Sequence, residues 1–127
     1  MVNYKSISIL VAEDNAINQL LIKTILQKEG FEVEIADNGK LAIEALEKAD
    51  FQIVLMDLMM PEMNGYETTF AIRNLKDPIK SIIPIIAVSA DVTKDVKEKC
   101  FEAGMNDYVS KPYEAIQLIK KIIEHVK

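Results

Sequence analysis

Short apolar runs alternate along this chain with longer segments of helical period, and the alternation repeats five times. The first run is Ser8-Ile-Leu-Val-Ala12, followed by Ile17, Leu20, Leu21, Thr24 and Ile25 at the i, i+3, i+4, i+7, i+8 spacing. This predicts a strand and then a helix with those five residues as its apolar stripe. Gly30 stops the helix, Phe31 to Ala36 alternates as a second strand, and Asn38-Gly39 leads into a helix through Leu41, Ile43, Ala45 and Leu46. Phe51 to Met56 is nearly all apolar, and Tyr66 to Leu75 has helical character. Pro84 to Ser89 opens with proline at a strand's first residue, where its missing N–H is tolerated. A thinner helical stripe of Val92, Val96 and Cys100 comes next. The pattern closes with the strand Tyr108-Val-Ser110 and a helix carrying Ile116, Ile119, Ile122, Ile123 and Val126.

Five strand–helix pairs with continuous apolar strands predict an α/β protein: a single doubly wound five-stranded parallel sheet with helices on both faces. Each crossover helix has to pack back onto the sheet. No linker or low-complexity segment interrupts the pattern, so residues 1–127 are expected to form one domain. In such sheets ligands sit outside the carboxyl ends of the strands, where the strand order reverses. In the flavodoxin-like order 2-1-3-4-5 that point lies between the first and third strands. The strand ends carry Glu13 and Asp14, then Asp57, then Ser89, then Lys111. Asp14 and Asp57 should face each other across the crevice with Glu13 beside them, and three carboxylates this close repel. The positive groups available to hold them are Lys111 and a hard divalent cation, for which oxygen ligands suit Mg²⁺. An acid cluster with Mg²⁺, one ammonium and one hydroxyl is equipped to handle a phosphoryl group, whose oxygen charge the cations neutralise.

Composition narrows the partners. A net charge of −5 argues against a phosphate-backbone ligand, because nucleic-acid binding is driven by clustered Lys and Arg, and no direct contact with nucleic acid is expected. The apolar runs are too short to span a bilayer, so no membrane contact by this domain is expected either. Half the residues are hydrophobic and 28% are charged, the balance of a chain that folds as a soluble domain without a covalent staple. The single Cys100 cannot close an intrachain disulfide and no charged-then-apolar leader opens at Met1, which points to a reducing, cytoplasmic setting.

The runs VAEDNAINQ, IVLMDLMMPEMNG, AVSAD and AGMNDYVSKP fall in order on these strand ends. Together they resemble the response-regulator receiver domain of two-component signalling, and most of all the receivers of hybrid sensor histidine kinases. The resemblance implies that Asp57 accepts a phosphoryl group from a phosphohistidine on a histidine kinase or histidine phosphotransfer protein. It implies that Glu13, Asp14, Asp57 and the Met59 backbone carbonyl hold Mg²⁺, that Lys111 pairs with the phosphoryl oxygens, and that Ser89 hydrogen-bonds one of them. By the same likeness Tyr108 reorients when Ser89 moves, and the Lys111–Pro112 bond is cis. The chain would then be a phosphoacceptor switch and not an enzyme that turns over a substrate. The family more often carries threonine at Ser89; serine keeps the hydrogen bond but lacks the methyl that fixes the rotamer.

Plainer readings stand beside these. An aspartate after a strand often serves only a turn, and Glu13-Asp14 could cap the first helix. Convergence on one sheet edge is what favours chemistry. Cys100 reads as a small core hydrophobe, and His125 as a last-turn residue suited to the helix dipole. Met56, Met59, Met60 and Met63 suit packing, since soft sulfur does not match a hard cation. Gly65 is expected to supply a backbone angle that other residues resist. The rival function is a phosphatase passing through an aspartyl-phosphate, but such enzymes carry a second acid two residues on, where this chain has Met59. A module that no longer takes phosphate fits poorly with the intact acids and Lys111. Flavin binding lacks a hydroxyl-rich loop after the first strand.

Overall fold

A computed structural model describes residues 6–91 and 93–126. Its strands are β1 (Ser8–Ala12), β2 (Glu32–Ala36), β3 (Ile53–Asp57), β4 (Ile85–Ser89) and β5 (Asp107–Ser110). Its helices are α1 (Ala16–Lys28), α2 (Gly39–Lys48), α3 (Gly65–Arg73), α4 (Lys94–Ala103) and α5 (Ala115–His125), with a single 3-10 turn, Lys80–Ile82, ahead of β4. The strands pair in parallel in the order β2-β1-β3-β4-β5, the doubly wound sheet that the alternation predicts. Val92, expected on the fourth helix, lies outside the described residues.

The two faces of the sheet explain the continuous apolar strands. On one face Ile9, Val11, Leu55 and Val88 pack with Ile22 and Leu26 of α1 and Leu118 and Ile122 of α5. On the other, Leu10, Val54, Met56 and Ala87 pack with Leu46 of α2, Ile72 of α3 and Cys100 of α4. Strands covered on both sides have no solvent face and so show no alternation. β2 lies at the sheet edge, and there Glu32 and Glu34 are exposed while Val33 and Ile35 turn inward. Cys100 is a buried core residue, as expected. Side chains of Asn15, Asn38, Asn64 and Thr93 accept from backbone N–H groups and start α1, α2, α3 and α4 directly after short connections. These short connections keep the strand ends close to the helix starts. No helix among the described residues is long and apolar enough to cross a membrane.

The apolar stripe expected of α1 is corrected. Ile17 is 78% exposed and Leu20 68%, Leu21 and Thr24 are exposed too, and of the expected five only Ile25 packs against the core, beside the buried Ile22 and Leu26. The helix carries apolar residues on two arcs, and spacing alone does not choose between them. The turn through Asp14 and Asn15 does, by presenting Ile22 and Leu26 to the sheet. α5 shows the same effect more mildly: Leu118 and Ile122 are buried, Ile119 and Val126 pack against them, and Ile116 is exposed.

At the amino-terminal edge of the sheet, Arg73 ends α3 with a half-buried guanidinium. Its Nε donates to the Gly104 carbonyl at 2.9 Å, and Nη1 donates to the carbonyls of Ser81 at 2.9 Å and Ile83 at 2.7 Å. Nη2 reaches Asn106 Oδ1 at 2.9 Å, which also accepts from the Ile85 amide at 2.8 Å. One side chain therefore ties the ends of α3 and α4 to the start of β4. Replacing it leaves several partly buried acceptors without donors. Arg73→Met is expected to cost about 2 kcal/mol, read as a lower urea midpoint with an unchanged slope. An unchanged midpoint would show that water takes over these acceptors at no cost.

Candidate functional site

The parallel register brings the expected residues together at the carboxyl edge. β1 pairs with β3 through Ala12 and Met56, so Glu13, one residue past β1, lies level with Asp57, the last residue of β3. Oxygens of Glu13, Asp14 and Asp57 lie within 4.8 Å of one another. Glu13 and Asp57 are buried, and Asp14 is exposed at the mouth. Lys111, just past β5, places Nζ 3.0 Å from Glu13 Oε1 and 3.9 Å from Asp57 Oδ1. The other Glu13 oxygen accepts from the Asn15 amide at 3.1 Å, and Asp57 Oδ1 accepts from the Met59 amide at 3.2 Å. The Lys111–Pro112 bond is cis, as the resemblance implies.

One ammonium shared by two buried carboxylates leaves them unequal. Burial works to raise the Glu13 carboxyl, but the Asn15 amide and Lys111 outweigh it and hold the group below its ordinary range. Burial pushes Asp57 up to about 6; the Met59 amide and Lys111 oppose this, while the charge of Glu13 adds to it. The walls below are apolar, with Val11, Ile22, Leu55 and Val88 among them, which is the source of the desolvation. Tyr113, at the same cavity, is pushed up to about 12 by burial and by the charge of Glu13. Three carboxylates facing one lysine form a donor set of hard oxygens with excess negative charge. That set fits a small divalent cation such as Mg²⁺ and would not suit a soft metal.

The remaining expected residues are near but engaged differently. Ser89 is buried at the end of β4, and its hydroxyl oxygen accepts from the Asp91 amide at 3.1 Å. Tyr108 of β5 is half-buried, with Lys97 Nζ 4.7 Å and Lys121 Nζ 5.4 Å from its ring centroid and Phe101 edge-on at 6.1 Å. Met59 is 77% exposed and so does not pack in the core, whereas Met56 and Met60 are core residues.

Gly65 requires a correction. Its φ is not positive; among the glycines only Gly30 and Gly104 adopt that region, and Glu62 alone among other described residues does so, at φ 68. What Gly65 supplies is room. A Cβ there would lie 2.5 Å from the Asp57 carbonyl oxygen and 2.9 Å from Leu58 Cα, while the Gly65 amide donates to the Leu58 carbonyl at 3.0 Å. The first turn of α3 thus abuts the backbone that carries Asp57. Two further partners had no signal in the apolar pattern. Gln19 bonds the Glu13 carbonyl, and Asp107 accepts from Lys121 at 2.8 Å and pairs with His125 at 2.9 Å. His125 thus has a carboxylate partner in addition to its helix end.

Comparison with known proteins agrees with this geometry. A family model described as the response regulator receiver domain matches residues 9–123. The chain is 44% identical, over 92% of its length, to hybrid signal transduction histidine kinase I of Dictyostelium discoideum, and 35% identical, over 91%, to sensor protein GacS of Pseudomonas syringae pv. syringae. It spans 8% and 13% of the length of those two relatives. Among solved structures it is similar to the receiver domain of a Pseudomonas aeruginosa sensor histidine kinase with a magnesium ion coordinated in its active site cleft. The TM-score is 0.86 at 33% identity, covering 94% of this chain and 96% of that one. It is also similar to a chain in the co-crystal structure of the Saccharomyces cerevisiae histidine phosphotransfer signaling protein Ypd1 with the receiver domain of Ssk1. There the TM-score is 0.89 at 30% identity, covering 99% and 92%.

The raised Asp57 carboxyl has a consequence for stability. A group whose folded pKa exceeds its ordinary 3.8 destabilises the fold when ionised, fully above about 6 and not at all below about 4. In chelator, Asp57→Asn is expected to be roughly 1–3 kcal/mol more stable than wild type at pH 7.5, with the gap closing as pH falls toward 4. Denaturant titrations at the two pH values check it. An asparagine variant that is the less stable at pH 7.5 would show that Lys111 more than compensates Asp57.

Proposed function

We propose a function from one premise: the chain belongs to the response regulator receiver domain family, the phosphoacceptor switches of two-component systems. Within that family role, Asp57 is the acceptor, taking its phosphoryl group from the phosphohistidine of a histidine kinase or histidine phosphotransfer protein. A carboxylate oxygen of Asp57 forms the new O–P bond, the N–P bond breaks, and the imidazole leaves with its electron pair and regains a proton. The observation that carries this reading is the position of Asp57, buried at the end of β3 within reach of Glu13, Asp14 and Lys111. Glu13, Asp14, Asp57 and the Met59 carbonyl are the residues that would hold Mg²⁺. Bound there, the cation supplies positive charge against the phosphoryl oxygens and relieves the repulsion among the acids.

The side chains divide the remaining work. Lys111, held by Glu13 in this structure, is close enough to Asp57 for its ammonium to turn from Glu13 and pair with a phosphoryl oxygen. The Ser89 hydroxyl, which now accepts from Asp91, has a proton to donate to another. Movement of Ser89 frees space beside Tyr108, whose ring leaves its place between Lys97 and Lys121. α4 has Cys100 as its one buried residue, and an element anchored so lightly is the easier one to shift. Phosphorylation then changes the populations of two arrangements of α4, β5 and α5, the surface a partner reads. The hybrid-kinase relatives and the similarity to the Ypd1 co-crystal support a phosphohistidine donor. The same reading makes residues 1–127 one receiver unit, cytoplasmic, without direct contact to nucleic acid or membrane, and a phosphoacceptor rather than a turnover enzyme.

Two experiments test it. Incubation with a ³²P-labelled phosphohistidine donor and Mg²⁺ should label wild type once per chain with an alkali-labile bond, and should label neither Asp57→Asn nor wild type in chelator. Continuous hydrolysis of a small phosphomonoester would favour a phosphatase instead. The second concerns lifetime. Met59, exposed two residues after Asp57, has no group to orient an attacking water, so the phosphorylated state should decay slowly. Met59→Asn is expected to speed the decay ~10-fold, or about 1.4 kcal/mol of barrier. Decay as slow as wild type, or slower, would move control of the water to Asp91.

A further inference from the structure

The loop after β1 is fixed by a side chain outside the acid cluster. Gln19 lies in the first turns of α1 and leans back over the start of the helix, as long helical side chains do. Its Nε2 donates to the Glu13 carbonyl at 2.6 Å and to Asp37 Oδ1 at 2.7 Å. An amide nitrogen has two hydrogens, and both are used. Asp37 follows β2, so one side chain joins the connections after β1 and β2. The Glu13 amide is held separately by the Ala36 carbonyl at 3.0 Å, and the Glu13 carboxylate by the Asn15 amide and Lys111.

Asp14 differs from its neighbours in the cluster. Among the described residues its carboxylate makes no hydrogen bond or ion pair, so only its backbone places it near Asp57 and Glu13. The peptide that carries it is the one between Glu13 and Asp14, whose oxygen Gln19 binds. With that oxygen released, the backbone angles of Glu13 and Asp14 lose the contact that fixes them together, and the loop is free to carry the Asp14 side chain away from the cluster.

We propose that Gln19 is a positioning residue for the divalent cation: by holding the Glu13–Asp14 peptide and Asp37 together, it keeps the Asp14 carboxylate aimed at Asp57. The proposal rests on the reading that Glu13, Asp14 and Asp57 bind Mg²⁺. Gln19 is not needed to start the helix, because Asn15 already caps α1 by accepting from the Asn18 amide at 3.0 Å. Its loss should therefore loosen the loop while leaving the helix and the fold in place.

The test is an amide-resonance titration of chelator-stripped protein with Mg²⁺ alone, for wild type, Gln19→Ala and Gln19→Met. The methionine variant keeps length and apolar stem but has no donor, so it separates hydrogen bonding from packing. Both variants are expected to bind Mg²⁺ about 10-fold more weakly, the size of effect seen when groups that orient metal ligands are removed. Their melting temperatures in chelator should stay within about 3 °C of wild type. Without metal, the Asp14 and Asn15 amide signals should broaden or double in the variants and stay single in wild type. Variants that bind Mg²⁺ as tightly as wild type, whether or not they melt lower, would overturn the role of Gln19 alone. Wild type that takes up no Mg²⁺ would overturn the metal reading and this inference with it.

Discussion

Lys111 reaches from the end of β5 to Glu13 at the end of β1, across 98 residues of sequence and over Asp57 at the end of β3. Two buried carboxylates are offset by this ammonium together with the Asn15 and Met59 amides, while the third acid stays exposed at the mouth. The parallel sheet makes the arrangement unavoidable: every strand ends at the same edge, so acids that close neighbouring strands must meet. The sheet supplies proximity and an apolar floor, and proximity with desolvation raises Asp57 to about 6 while Lys111 and the Asn15 amide hold Glu13 low. The result is a site short of positive charge. That shortage is the physical basis for attracting a divalent cation, whose charge the acids alone cannot supply.

Much of this was legible in the sequence, for identifiable reasons. The strands of the sheet interior are written as unbroken apolar runs, and a run that stops at a charged residue marks a strand end. Glu13, Asp14, Asp57, Ser89 and Lys111 could therefore be placed on one edge, since parallel strands end together, and the flavodoxin-like order 2-1-3-4-5 set Asp14 opposite Asp57. The α1 stripe was misplaced because that helix has two apolar arcs, and only the loop into it decides which one turns inward. Gly65 was recognised as special for the wrong reason, since lack of room beside the Asp57 carbonyl leaves no trace that distinguishes it from a demand for positive φ. Gln19 and Arg73 escaped because their partners are mostly backbone carbonyls, which every residue has. Hydrophobic period carries no information about them.

The two sides of the sheet edge also divide labour. The short loop after β1 is tied down by Gln19, and the longer one after β3 is closed by the Gly65 amide on the Leu58 carbonyl. After β4 the described contacts are local ones, from the Asp91 amide to the Ser89 hydroxyl, from the Thr93 amide to Asp91 and from the Val96 amide to Thr93. In the proposed switch the acids keep their spacing while the Ser89 hydroxyl and α4 move, so the two demands fall on different strand ends.

The Arg73 anchor lies at the opposite rim from the acids and binds carbonyl dipoles and an amide, with no carboxylate among its described partners. Attraction between a charge and fixed dipoles falls off steeply with distance and needs no counter-charge that acid could titrate. The carboxyl rim is the reverse, a cluster of formal charges that acid and ions retune. The Arg73 contacts contain no group that acid would titrate, so this tie persists where the acid cluster and the Asp107–His125 pair respond to the medium. α4 is therefore fastened at its Gly104 end by a charge–dipole contact, while its Thr93 end adjoins the strand edge where ions would act.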